Sequence, residues 1–155
     1  MTRAFLGLGS NMGDRTAELV RAVTALRLEN SVVGVSNVYE TEPVGGPLQE
    51  NFFNIVVELD TEDEPETLLA RCQALEEAAN RVRTVRFGPR TLDVDILWVD
   101  EVDQETEMLT IPHPRMWERR FVLEPLRELA PDLVSDERLA AARGDVVMRG
   151  PLGDE

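Results

Sequence analysis

Arg86-Phe87-Gly88-Pro89-Arg90-Thr91-Leu92-Asp93-Val94-Asp95-Ile96-Leu97 is the stretch on which the fold and the chemistry of this chain turn. From Thr91 to Trp98 the residues alternate, with Leu92, Val94, Ile96 and Trp98 on one side and Thr91, Asp93 and Asp95 on the other. A period of two predicts a β-strand with one apolar face. Residues two apart on a strand point the same way and stand about 7 Å apart along it. An isolated pair of this kind is usually an ordinary solvated strand face. Here Arg90 stands just before the strand, where a guanidinium fork suits a phosphate oxygen, while two rigidly held carboxylates suit hard divalent cations. The flanking residues therefore favour a metal–phosphate site over a bland surface.

Working outward, the pattern repeats at Phe52 to Asp60, where Phe53, Ile55, Val57 and Leu59 form an apolar face and Phe52 and Asn54 look the other way. Met1 to Ser10 reads as a first strand, too short and glycine-rich for the apolar core of a signal peptide. Asp14 suits the N-cap of a helix reaching about Arg27, with Leu19, Val23 and Leu26 on one face. A second strand is expected over Val32 to Glu40, followed by a loop, Thr41 to Asn51, holding two prolines and two glycines. Glu64-Pro65 opens a second helix with Leu68, Leu69, Cys72, Leu75 and Ala79 as its apolar stripe, and Asn80 closes it. The order β-α-β-β-α-β predicts an α+β, ferredoxin-like core. Its sheet is mainly antiparallel, with two helices on one face and the site on the other. After the acidic turn from Asp100 to Glu107 come a short strand at Leu109-Thr110-Ile111, a short helix near Pro114 to Glu118 and another begun by Pro125. The polar, weakly patterned tail is expected to be partly disordered after Gly144. The 155 residues fit a single domain, 1–155.

Composition excludes several classes. The net charge of −14 argues against nucleic acid as a partner, and no apolar run is long enough for a membrane span. One cysteine, Cys72, rules out an internal disulfide and fits a reducing cytoplasm. All sixteen basic residues are arginine, and seven fall between Arg81 and Arg120, a local cluster suited to a small polyanion. Arg81, Arg83, Arg86 and Arg90 read either as a solvated basic loop or as phosphate ligands that close over nucleotide. His113, between Pro112 and Pro114 and followed by Arg115, Arg119 and Arg120, reads either as structural or as a donor to phosphate. Phe52 and Phe87 suit stacking on a flat heterocycle, with Phe121 a further aromatic, and Asn54 is expected to read that ring with both a donor and an acceptor. The glycines from Gly7 to Gly13 fit neither a P-loop nor a dinucleotide fingerprint.

The stretch Phe87 to Leu97 resembles the signature of the 6-hydroxymethyl-7,8-dihydropterin pyrophosphokinase family. It is joined by Leu8-Gly9-Ser10-Asn11, Tyr39 to Gly45, Phe52-Phe53-Asn54, Gln73 to Glu76 with Arg81-Val82-Arg83, Pro112 to Met116, and Arg119-Arg120-Phe121. The resemblance implies a cytoplasmic monomer that moves pyrophosphate from ATP to the hydroxymethyl group of the pterin and releases AMP. It implies that Asp93 and Asp95 bind two Mg²⁺ ions, with Arg81 and Arg90 beside them in catalysis. Gln73, Glu76, Arg83, Arg90, Ile96, Thr110, His113 and Arg119 would contact ATP. Thr41, Val44, Phe52, Asn54, Phe87 and Phe121 would form the pterin pocket, with Asp95 touching that substrate too. Phe87 stands where some members have tryptophan, Pro114 where others have tyrosine, and Met108 where others have a basic residue. A ligand-sensing module without turnover and a metal-dependent nucleotidyl transferase are the other readings that this fold and these carboxylates allow.

Overall fold

The computed structural model describes residues 1–11, 13–42, 51–79 and 92–153. Chain order begins with β1 (Thr2–Ser10), α1 (Arg15–Glu29), β2 (Ser31–Val35), β3 (Asn37–Thr41), β4 (Phe52–Thr61), α2 (Pro65–Ala79) and β5 (Asp93–Val99). It continues with β6 (Gln104–Glu105), β7 (Thr110–Ile111), a 3₁₀ turn at Met116–Glu118, α3 (Arg120–Leu129), α4 (Asp136–Ala141) and β8 (Val147–Pro151). Among the described residues the main sheet runs β5-β1-β4-β3-β8, with β2 also paired to β4, and every pairing is antiparallel. This is the ferredoxin-like arrangement, with one extra strand at its edge.

The helices form where their sequences direct. Asp14 caps α1 by accepting a hydrogen bond from the Ala17 amide at 3.0 Å, an interaction worth about 1 kcal/mol. Leu19, Ala22, Val23 and Leu26 of α1 and Leu68 and Cys72 of α2 are buried against the sheet. They meet Ala4, Leu6 and Leu8 of β1, Ile55, Val57 and Leu59 of β4, and Leu92, Val94 and Ile96. Arg71 of α2 ties that helix to α1 through Glu29 at 2.8 Å and also holds Asp63, just before α2, at 2.7 Å.

The opposite face is only partly open. Phe5, Val56 and Leu97 bury there against Met116 and Val122, Leu123 and Leu126 of α3. The expected helix beginning at Pro125 in fact begins at Arg120 and carries Pro125 inside. Apolar residues at 122, 123 and 126 lie on one helical face, and their burial outweighs the one backbone bond that proline cannot make.

Three further expectations are corrected. The strand expected over Val32 to Glu40 is two strands broken at Ser36. There the Ser36 amide donates to Val56 O and its hydroxyl accepts from the Val56 amide, both at 2.9 Å. A side chain has replaced the main chain in the ladder. In β5, Phe5 pairs with Trp98 while Leu6 pairs with Ile96, so Leu97 is a bulged extra residue. Trp98 is thereby turned onto the α3 face, opposite to the side its alternation assigned. Finally, residues after Gly144 are not left unpatterned, because β8 pairs with β3 from Asn37–Pro151 to Glu40–Val147.

Candidate active site

Strand register assembles the site. On the face partly covered by α3, Asp95 pairs with Gly7 and Gly7 with Val56. In the next such row Asp93 pairs with Gly9, Gly9 with Asn54 and Asn54 with Tyr39. The carboxylates of β5 and the amide of β4 thus flank a strip of β1 that has no side chains. Strands lie about 4.8 Å apart, so the two flanking strands are roughly 10 Å apart. Gly7 and Gly9 were not singled out by sequence reasoning as site residues. Their signal was present in Leu6-Gly7-Leu8-Gly9, where leucines feed the helical core and glycines leave the other face bare.

Gly9 is a glycine for a steric reason. A Cβ there would stand 3.0 Å from Asn54 Oδ1 and 3.6 Å from Phe52 Cδ1. Asn54 is 6% exposed and its orientation is fixed. Its Nδ2 donates to Tyr39 O at 3.2 Å and to Thr41 Oγ1 at 3.1 Å. A main-chain carbonyl can only accept, so the nitrogen must face Tyr39 and the oxygen must face Gly9. Both amide hydrogens are committed. Asn54 was expected to offer a ligand both a donor and an acceptor; Nδ2 is engaged twice within the sheet, and Oδ1 is the atom directed toward Gly9.

Asp93 is half-buried and Asp95 exposed. Beyond Asp95 lies a cavity of about 300 Å³, lined by Asp95, Ile96, Thr110 and His113 together with Leu69 and Leu109. Four residues expected to lie near nucleotide are therefore brought together. His113 is held by its amide, which donates to Leu97 O at 2.9 Å, and by Nδ1, which accepts from the Arg115 amide at 3.2 Å. With Nδ1 accepting, the neutral ring carries its proton on Nε2, leaving that N–H as a donor. Burial pushes the His113 pKa down; Asp95 opposes this, and Arg119 and Arg115 add to it. Burial, followed by Glu76 and Asp95, pushes the Cys72 thiol up to about 12.

The other expected residues are less gathered. Glu76 Oε2 accepts from the Val94 amide at 2.8 Å, capping the outer edge of β5. Gln73 is exposed on α2, and neither it nor Glu76 lines the cavity. The Arg119 guanidinium stands 5.7 Å from the centre of the Phe121 ring at the start of α3. Val44, Asn80, Arg81, Arg83, Arg86, Phe87 and Arg90 lie outside the described residues. Among the described residues, no group of three or more histidine, cysteine, aspartate or glutamate side chains comes together to hold a metal ion.

Residues 5–131 match the family model for 7,8-dihydro-6-hydroxymethylpterin-pyrophosphokinase. The chain is 48% identical over 128 residues to 2-amino-4-hydroxy-6-hydroxymethyldihydropteridine pyrophosphokinase of Bacillus subtilis, covering 81% of this chain and 77% of the relative. It is 47% identical over 136 residues to the protein of the same name from Methylorubrum extorquens, covering 86% of each. In fold it is similar to HPPK-DHPS of Plasmodium falciparum, with a TM-score of 0.60, 17% identity and 85% of this chain covered. The chain spans 40% of that larger protein.

Proposed function

The chain belongs to the 7,8-dihydro-6-hydroxymethylpterin-pyrophosphokinase family, and from that premise we propose that it transfers pyrophosphate from ATP to the hydroxymethyl group of 6-hydroxymethyl-7,8-dihydropterin in folate biosynthesis. The observation that carries the reading is the register of one sheet face. Asp93 and Asp95 border one side of the Gly7–Gly9 strip, and Asn54 and Phe52 border the other. Triphosphate belongs beside the carboxylates and His113, and the pterin belongs over the glycines.

In the reaction the substrate hydroxyl oxygen attacks the β-phosphorus. The bond between that phosphorus and the oxygen bridging to the α-phosphate breaks, AMP leaves with the electron pair, and the hydroxyl proton passes to solvent or a nearby base. No covalent enzyme intermediate is needed, because such transfers depend on alignment and charge stabilisation. Thr41, Val44, Phe52, Asn54, Phe87 and Phe121 bind the pterin, with the Asn54 oxygen taking an N–H from its edge. The His113 Nε2–H, with Arg83, Arg90 and Arg119, steadies phosphate oxygens, while Thr110, Ile96, Gln73 and Glu76 complete the nucleotide side. Arg81 and Arg90 offset charge near the transferred group.

The donor set fits Mg²⁺. Asp93 and Asp95 supply hard oxygen ligands from one strand, the donor type that Mg²⁺ takes together with phosphate oxygens. Two such ions, held by Asp93 and Asp95, would neutralise developing charge on the transferred group. Among the described residues no helix is long and apolar enough to cross a membrane; we place the enzyme in the cytoplasm, acting as a monomer on small molecules rather than nucleic acid.

Product analysis tests the reading. Incubation with ATP, Mg²⁺ and hydroxymethyl-dihydropterin should yield AMP and the pterin diphosphate in equal amounts. ADP would refute pyrophosphoryl transfer, inorganic pyrophosphate would indicate a nucleotidyl transferase, and binding without any product would indicate a sensing module.

A further inference from the structure

Resting on that reading, we propose that Glu128 of α3 is a positioning residue for the Asn54 amide, acting through β3. Its carboxylate gathers three donors. Oε1 accepts from the Asn37 amide at 2.9 Å, and Oε2 accepts from Asn37 Nδ2 at 3.3 Å and from the Tyr39 hydroxyl in a short contact. These donors come from the first and third residues of a five-residue strand. That strand meets β4 at only three pairs, Tyr39–Asn54, Glu40–Phe53 and Thr41–Phe52. The same strand supplies both groups that hold Asn54, the Tyr39 carbonyl and the Thr41 hydroxyl.

Glu128 therefore fixes the strand whose groups aim the substrate-binding oxygen. Hydrogen bonds to an ionised acceptor are about twice as strong as neutral ones, so the carboxylate adds a side-chain anchor to a strand otherwise held by main-chain pairing to β4 and β8. Tyr39 is 7% exposed, and its hydroxyl reaches out of the sheet to the carboxylate of Glu128, which is itself exposed on α3. Burial, reinforced by Glu128, holds the phenol pKa above its ordinary value, which keeps the donor protonated. Nothing in this chain of contacts involves the nucleotide cavity.

Glu128→Gln tests the proposal, because a carboxamide retains the shape but offers one accepting oxygen to three donors. The expected result is a roughly five- to fifty-fold rise in KM for the pterin, within the range that coupling through a shared network spans, with KM for ATP unchanged. Tyr39→Phe should move the same constant in the same direction by less, and stands in if Glu128→Gln fails to fold. In an Asn54→Ala background either change should add almost nothing. A merely structural glutamate would instead raise both KM values alike, or act undiminished without Asn54, and either outcome overturns the proposal. Unaltered pterin KM in both variants overturns it as well. A wild-type protein without pterin turnover would mark failure of the functional reading itself, separately from Glu128.

Discussion

Gly9→Ala adds a single methyl group beside the Asn54 amide, on the strip proposed for the pterin. The strand leaves Gly9 without a positive φ, so alanine costs nothing in backbone conformation and tends to stabilise by about 0.4–1 kcal/mol through the unfolded chain. Against this, the new Cβ would begin 3.0 Å from Asn54 Oδ1, some tenths of an ångström inside normal contact. Relief requires Asn54 to shift, straining the 3.2 Å and 3.1 Å hydrogen bonds to Tyr39 O and Thr41 Oγ1, each worth about 1 kcal/mol. The terms nearly cancel, so global stability should move by no more than about 1 kcal/mol, or a few degrees in Tm. Binding should not be spared. The methyl would occupy the strip proposed for the pterin and misdirect the oxygen proposed to receive it, a loss of roughly 1.5–3 kcal/mol, or about tenfold to 150-fold in Kd. Titration with the pterin, followed by ligand fluorescence alongside a melting curve, separates the two effects. Wild-type affinity in a folded Gly9→Ala protein would refute the assignment of the glycine strip to substrate.

Asp95→Ala should lower kcat by at least about a hundredfold, as expected for a group that stabilises charge in the transition state, while circular dichroism stays unchanged because Asp95 is exposed. His113 is the only histidine, so one imidazole signal in an NMR pH titration reports it; its midpoint should fall below 6.5 with the neutral proton on Nε2. The sign for stability follows from the depressed value: the unfolded chain takes up the proton first, so stability declines as pH falls below about 6.5 toward the native midpoint. His113→Gln should flatten that part of the curve, and an unchanged slope would contradict it. Cys72, buried with its thiol pushed up to about 12, should resist alkylation at pH 8 in the native protein and react promptly in denaturant.

Local pattern carried much of this architecture. The alternations at Asp93–Ile96 and Phe53–Leu59, the Asp14 cap and the stripe from Leu68 to Ala79 are each written in adjacent residues, and each appears as expected. What escaped depends on partners distant in sequence. The Leu97 bulge arises from pairing with β1, and nothing near Trp98 announces it. The Ser36 break requires Val56 across the ladder. At β8, Val147 and Met148 are exposed and the strand is held chiefly by main-chain pairing to β3, so it leaves no alternation to detect. Pro125 was taken as a start signal because local rules favour proline at the first turn, whereas tertiary burial set the helix. In the site, Asp95, Ile96, Thr110 and His113 were foreseeable and do share one cavity. The polarity of Asn54 was not, since it is dictated by a carbonyl fifteen residues away in sequence.

Anomalous diffraction from crystals soaked with Mn²⁺, a non-hydrolysable ATP analogue and the pterin examines the paired strand carboxylates at first hand. Manganese peaks should appear within bonding distance of Asp93 and Asp95 oxygens, shared with the triphosphate, with the ring lying across Gly7 and Gly9 toward Asn54. Nucleotide bound with no metal beside either aspartate, or a pterin seated away from the glycine strip, would contradict the proposed site.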